Sequence, residues 1–304
     1  MRIVSLLPSA SEIVAALGLE KQLVGISHDC DFPPSVVARP RVTACEVADN
    51  EMPGNAVNDW VSVRLSQGQP LFAIDATRLA ELRPDLILTQ GLCDVCAPSY
   101  DTVADLAAKL PSRPHVLTLD AFSLEGILDN IQQVADAVGM PERGTMLVRA
   151  LRNRIEYVSV TIGRPTLKPR VAFIEWLEPA YCSGHWTPQL VEIAGGVDTL
   201  GQKAAPSTRK TWRDVEDSAP DLLVIACCGH RVAPALKDWT RVKQLNEVRV
   251  IPAVRGGRVF LVDGSAYFNR PGPRIVDSLE ILAEILHPEI FSGKFPDRGI
   301  LRCP

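Results

Sequence analysis

One stretch constrains this chain more than any other: "PERGTMLVRALRNRIEYVSVTIG", residues 141–163, which opens with Pro at a helix start and stays helix-like throughout. On each side of it, short β-rich runs alternate with amphipathic segments. Before it come "QLVGIS" (22–27), "DLILTQ" (85–90) and "HVLTL" (115–119), interleaved with helical patterns at 100–110 and 123–139 whose first turns are acidic. After it, "RPTLKP" (164–169) reads as a loop. "RVAFIEW" (170–176), a helix near 188–194, "DLLVIA" (221–226), "RVFLV" (258–262) and a last helix at 273–288 then resume the alternation. This order predicts two Rossmann-like α/β lobes with mostly parallel sheets, at 1–140 and 164–304, joined by the 141–163 helix and enclosing a ligand cleft between them.

An internal echo supports a duplicated architecture. "LRPDLILTQGLCDVC" and "SAPDLLVIACCGH" each place Pro-Asp before an apolar strand and a cysteine-bearing loop after it. "RIVSLLPSASE" and "RVAFIEWLEP" both read as a lobe's opening strand and the turn that follows. In the first of these, Ile3 to Leu7 is expected to be extended, with Ser9 and Glu12 forming a capping box at the start of a helix.

Composition excludes several classes. Net charge is −4 with both signs interspersed, which argues against a nucleic-acid partner. No apolar run reaches the roughly 18 residues a membrane helix requires. The N-terminal apolar run is broken by Pro8 and lacks an export cleavage site, so the expected location is cytoplasmic. In that compartment the eight cysteines are expected to be free thiols, ligands or redox groups rather than structural disulfides.

Together, "RIVSLLPSASEIVAALGLEKQLVGISHDCDFPP", "LRPDLIL", "WLEPAYCSGHWTPQLVEIAGGVDTLG" and "AYFNRPGPRIVDSLEILAEIL" resemble, in order and spacing, the substrate-binding proteins of cobalamin and iron-siderophore uptake systems. The resemblance runs to about residue 290. It implies two lobes on a rigid backbone helix, a non-enzymatic role, and cobalamin or a related corrinoid as ligand in the interlobe cleft. Two departures stand out. The exported members carry a signal peptide or anchor cysteine, which is not seen here. They also present one glutamate per lobe to an ABC permease, and the matching positions here are Thr77 and Arg213. A small-molecule binder that does not dock on a permease is therefore expected.

In open α/β sheets, ligands sit beyond the carboxyl ends of the strands. The residues following the strands here include Ser27 to Cys30, Gly91 to Cys96, Cys182 to Trp186 and Cys227 to His230. Six of the eight cysteines and three of the five histidines fall in these loops. The candidate ligand-binding residues are Ser9, His28, Cys30, Cys93, Cys96, His185, Trp186, Cys228, Tyr267 and Arg270. Flat rings suit the face of a macrocycle, and soft thiolates with neutral imidazoles suit cobalt or zinc. His185, Cys93, Cys96, His28 and Cys30 are thus the candidate metal ligands, with His185 first as an axial donor. A single buried Cys can equally be a small apolar packing residue. Alternative readings are a binder of zinc, another transition metal or a metal chelate, and a thiol redox enzyme built on the Cys93/Cys96 pair. No Walker loop, dinucleotide fingerprint, nucleophile elbow or zinc-protease motif is present in the sequence.

Overall fold

The computed structural model describes residues 1–45, 52–91, 97–163 and 167–303. It divides into two compact units. The first takes in Met1–Asp49, Asp59–Ala121 and Glu125–Ala150; the second takes in Asn50–Asn58, Phe122–Leu124 and Leu151–Pro304.

In chain order the elements leading to the division are β1 (Ile3–Ser5), α1 (Pro8–Ala16), β2 (Leu23–Ile26), β3 (Thr43–Cys45), α2 (Gly54–Ser66), β4 (Phe72–Ile74), α3 (Ala76–Leu82), β5 (Leu86–Thr89), α4 (Tyr100–Lys109), β6 (His115–Thr118), α5 (Leu124–Ala137) and α6 (Pro141–Ile162). The long helix forms over nearly its expected span, and the boundary between units falls inside it, after Ala150. The main sheet of the first unit runs β2-β1-β5-β6, and every pairing in it is parallel. Its inner strands are buried along their whole length, which explains why β1 and β5 read as continuous apolar runs rather than alternating ones. Val4 and Ile87 from these strands pack with Leu79 of α3 and Val103 and Ala107 of α4. β3 and β4 form a separate antiparallel pair.

The expected Ser9–Glu12 capping box does not form. Helix α1 starts two residues earlier, with Leu7 as N-cap and Pro8 as its first residue, so Ser9 is already helical and buried. Proline's fixed φ and missing N–H make it the better first helical residue.

The second unit contains β7 (Arg170–Leu177), β8 (Ala180–Cys182), α7 (Thr187–Ile193), β9 (Val197–Asp198), β10 (Thr208–Arg209), α8 (Trp212–Asp217), β11 (Leu222–Ile225), α9 (Val232–Val242), α10 (Asn246–Arg249), α11 (Pro252–Arg255), β12 (Val259–Leu261), α12 (Ile275–Leu286), α13 (Pro288–Phe291) and β13 (Leu301–Cys303). Its sheet runs β10-β8-β7-β11-β12-β13, with β9 also on β7. The β7, β9, β11 and β12 pairings are parallel, while β8, β10 and β13 add antiparallel margins. Ile174, Leu223, Ile225, Val259 and Trp239 sit in one fully desolvated cluster. Burying each aliphatic side chain of this kind contributes about 1.5–3 kcal/mol. Arg154 of α6 is fixed to α12 through Asp277 at 2.5 Å and Glu280 at 2.7 Å, and Arg298 joins the same two carboxylates.

Candidate functional site

In the second unit the strand ends carry an aromatic and imidazole cluster. β8 ends at Cys182, and the chain turns through Ser183 and Gly184 to His185, which adopts the left-handed conformation at φ 53°. That turn places the imidazole against two rings, Phe122 at 5.8 Å and Trp186 at 5.5 Å between centroids. Burial lowers the His185 pKa, so the ring is held neutral near neutral pH with a lone pair available. Trp186 is buried, and its indole N–H donates to the Phe268 carbonyl at 2.9 Å.

Phe268 closes a π-helical turn, Gly264–Phe268, that follows β12. The Asp263 side chain caps this turn by accepting from the Ala266 N–H at 2.7 Å. Gly264 cannot be replaced without disruption, since a Cβ there would meet the Cys227 carbonyl at 2.3 Å. Tyr267 is half-buried in the same turn, with the Arg274 guanidinium 5.5 Å from its ring centroid. Arg270 is buried, and its Nη2 lies 3.4 Å from Ser265 Oγ. Cys228 is exposed after β11, next to the buried Cys227.

In the first unit, Ser27 to Cys30 follow β2. His28 is bound at its Nδ1 to Thr43 Oγ1 at 2.8 Å, lies 5.7 Å from the Phe72 ring, and has Nε2 3.4 Å from Asp29. Desolvation lowers its pKa more than Asp29 raises it. Arg41 braces the turn, its Nη1 within 2.7–2.9 Å of the Ser27, His28 and Cys30 carbonyls. Cys30 is fully buried, with Sγ 3.0 Å from Ser11 Oγ. The geometry is that of a packed core thiol beside a turn. Ser9 is likewise buried in α1.

His185, Trp186 and Tyr267 are thus gathered around one pair of loops in the second unit. His28, Cys30 and Ser9 belong to the first. Cys93 and Cys96 lie outside the described residues. Among the described residues, no group of three or more His, Cys, Asp or Glu side chains is placed to hold a metal ion.

Several residues of the site escaped the sequence reading. Glu175 of β7 accepts from Ser207 Oγ at 2.5 Å and from the Gly184 N–H, and burial raises its pKa to about 7. Asp198 accepts from Ser183 Oγ and from the N–H groups of Gly201 (2.7 Å) and Leu200 (3.0 Å). His230, which the sequence did place in a strand-end loop, has its ring 4.9 Å from that of Trp176 and tilted at 49° to it, its buried Nδ1 without a hydrogen-bond partner. Phe122 is an exposed ring that no periodicity singled out. The positions matched to docking glutamates are both exposed: Thr77 in the first turn of α3, and Arg213 in α8 beside Glu216 and Asp217.

A family model described as periplasmic binding protein matches residues 3–266. The vitamin B12-binding protein of Vibrio cholerae is 24% identical over 282 residues, 92% of this chain and 86% of that one. Among solved structures, the periplasmic haem-binding protein RhuT from Roseiflexus sp. RS-1, in apo form, superposes with a TM-score of 0.70 at 20% identity, covering 95% of this chain and 98% of that one. The periplasmic vitamin B12 binding protein of Vibrio cholerae gives 0.67 at 22% identity, covering 94% and 96%.

Proposed function

The chain belongs to the periplasmic binding protein family, and from that premise we propose that it binds cobalamin or a related corrinoid. The observation that carries this reading is His185, a neutral imidazole presented from a left-handed turn and in contact with the Phe122 and Trp186 rings. A cobalt centre accepts a neutral imidazole, and aromatic rings supply contact area to a flat macrocycle at small entropic cost. The similarity to a vitamin B12-binding protein over 92% of the chain supports the same ligand. Haem is the second reading, favoured by the fold's likeness to a haem-binding protein and by the same imidazole, which is also a proximal ligand for haem iron. Zinc has less support: a structural zinc site takes four donors, and no such group occurs among the described residues. Within this proposal the protein acts in the cytoplasm and apart from a permease, the second point resting on Thr77 and Arg213, which the resemblance matches to the acidic docking positions.

Titration with hydroxocobalamin and, separately, with haemin, followed in the visible region, tests the reading. A saturable band shift with hydroxocobalamin, lost in His185→Ala, is expected. A shift with haemin alone selects the second reading, and no shift with either removes both.

A further inference from the structure

Residues 183–185 and 204–207 of the second unit close on each other as a clasp. The His185 N–H donates to the Ala205 carbonyl at 2.6 Å, and the Ala204 N–H donates back to the His185 carbonyl at 2.9 Å. Both His185 and Ala204 sit in the left-handed region, at φ 53° and 55°, a conformation costly for residues with a Cβ and kept only when neighbours enforce it. Gly184 lets the two limbs touch: a Cβ there would lie 2.4 Å from the Ser207 nitrogen and 2.6 Å from the Ala205 carbonyl oxygen. Beneath the clasp, one carboxylate reaches both limbs. Glu175 accepts from Ser207 Oγ on one side and from the Gly184 N–H on the other. A second carboxylate, the half-buried Asp198, anchors Ser183 at the clasp's root.

We propose that Glu175 is the positioning residue of His185: by tying Gly184 to Ser207 it fixes the direction in which the imidazole is offered to the metal of the bound macrocycle. This rests on the reading of His185 as the metal donor. The role suits the side chain, because Glu175 sits at the irregular step between Ile174 and Trp176 in the β7–β8 pairing, the kind of bulge that re-aims a side chain, while its backbone carbonyl is held by the Cys228 N–H at 2.9 Å. Groups hydrogen-bonded to a ligating histidine typically govern about 10–100-fold of metal affinity, and Glu175 acts on the same orientation through the loop backbone.

The test compares Glu175→Ala, Glu175→Gln and Ser207→Ala by two measurements. The first is the NMR position of the His185 imidazole in ligand-free protein, assigned by its disappearance in His185→Ala. The second is the hydroxocobalamin band shift and affinity. Glu175→Ala should move the imidazole resonance and weaken hydroxocobalamin binding at least tenfold. Glu175→Gln, whose amide oxygen can accept from the Gly184 N–H while its NH2 donates to Ser207 Oγ, should restore most of each, and Ser207→Ala should fall between. An unmoved His185 resonance in folded Glu175→Ala, or equal loss in the Ala and Gln variants, overturns the proposal. If Glu175→Ala does not fold, Ser207→Ala decides: unchanged resonance and affinity there overturn it. Should His185→Ala bind hydroxocobalamin with unchanged spectrum and affinity, the donor reading fails, while the ligand-free resonance still reports whether Glu175 positions the ring.

Discussion

Trp186 donates its indole N–H to the Phe268 carbonyl at 2.9 Å, joining the loop after β8 to the π-helical turn after β12. The two residues are 82 positions apart in the chain, and both are buried. Trp186→Phe keeps the ring against His185 but leaves that carbonyl without its donor, so a loss of about 1–3 kcal/mol is expected. Trp186→Ala removes the ring as well and should cost about 3–5 kcal/mol. Urea unfolding of the three proteins checks the order, and corrinoid affinity should fall further in Ala than in Phe. Equal stabilities for wild type and Trp186→Phe would show that the bond does not bridge the loops.

Glu175 makes stability depend on pH in an unusual direction. Burial raises its folded pKa from 4.5 to about 7, so the charged form is disfavoured in the native state. The stability from this group is therefore fully present below about pH 4.5 and is lost as pH rises through 7. The difference between these limits is on the order of 3 kcal/mol. Glu175→Gln is neutral throughout, so its urea midpoint should gain on that of the wild type between pH 5 and pH 8. Parallel pH profiles for the two proteins would rule this out.

Glu175 also illustrates what the sequence could not reveal. In "RVAFIEW" it reads as an unremarkable polar position in a strand, and its partner Ser207 lies 32 residues away in a loop without periodicity. The parallel strands were legible because burial on both faces leaves continuous apolar runs, as in "DLLVIA". β8, β9 and β10 have only two or three residues each, too short for an alternation to register. His185 and Trp186 could be named as candidates because they follow a strand in a turn of mixed polarity. Phe122 comes to His185 from a distant part of the chain. The Ser9–Glu12 spacing misled because Pro8 takes the first helical position.

Thiol reactivity should follow burial. Of the described cysteines, Cys228 is exposed, whereas Cys30, Cys182 and Cys227 are buried. Burial, with a smaller contribution from Asp238, pushes the Cys227 thiol far above its ordinary range, and Cys182 is held near Thr208 Oγ1 at 3.2 Å. Iodoacetamide at pH 8 should label Cys228 well before these three, read by peptide mass mapping. Fast labelling of Cys30 would place it on a ligand-accessible surface instead. The Cys93→Ser/Cys96→Ser double variant, titrated with hydroxocobalamin, should keep the band shift if His185 is the donor and lose it if a thiolate is.

The permease prediction turns on two side chains. Thr77 is uncharged and exposed. Arg213 is 70% exposed, with Glu216 at 3.4 Å and Asp217 at 3.2 Å beside it, surface pairs typically worth about 0–1 kcal/mol that cannot mask its charge. A basic permease surface that receives a carboxylate would gain nothing from Thr77 and would be repelled by Arg213, since like-charge juxtaposition suppresses wrong partners. The protein should therefore fail to stimulate ATP hydrolysis by a cobalamin permease in reconstituted vesicles. Thr77→Glu/Arg213→Glu should bind that permease more tightly, with the gain shrinking as salt is raised. Tight binding by the wild-type protein that is weakened by Arg213→Ala would overturn this and make Arg213 itself a docking residue.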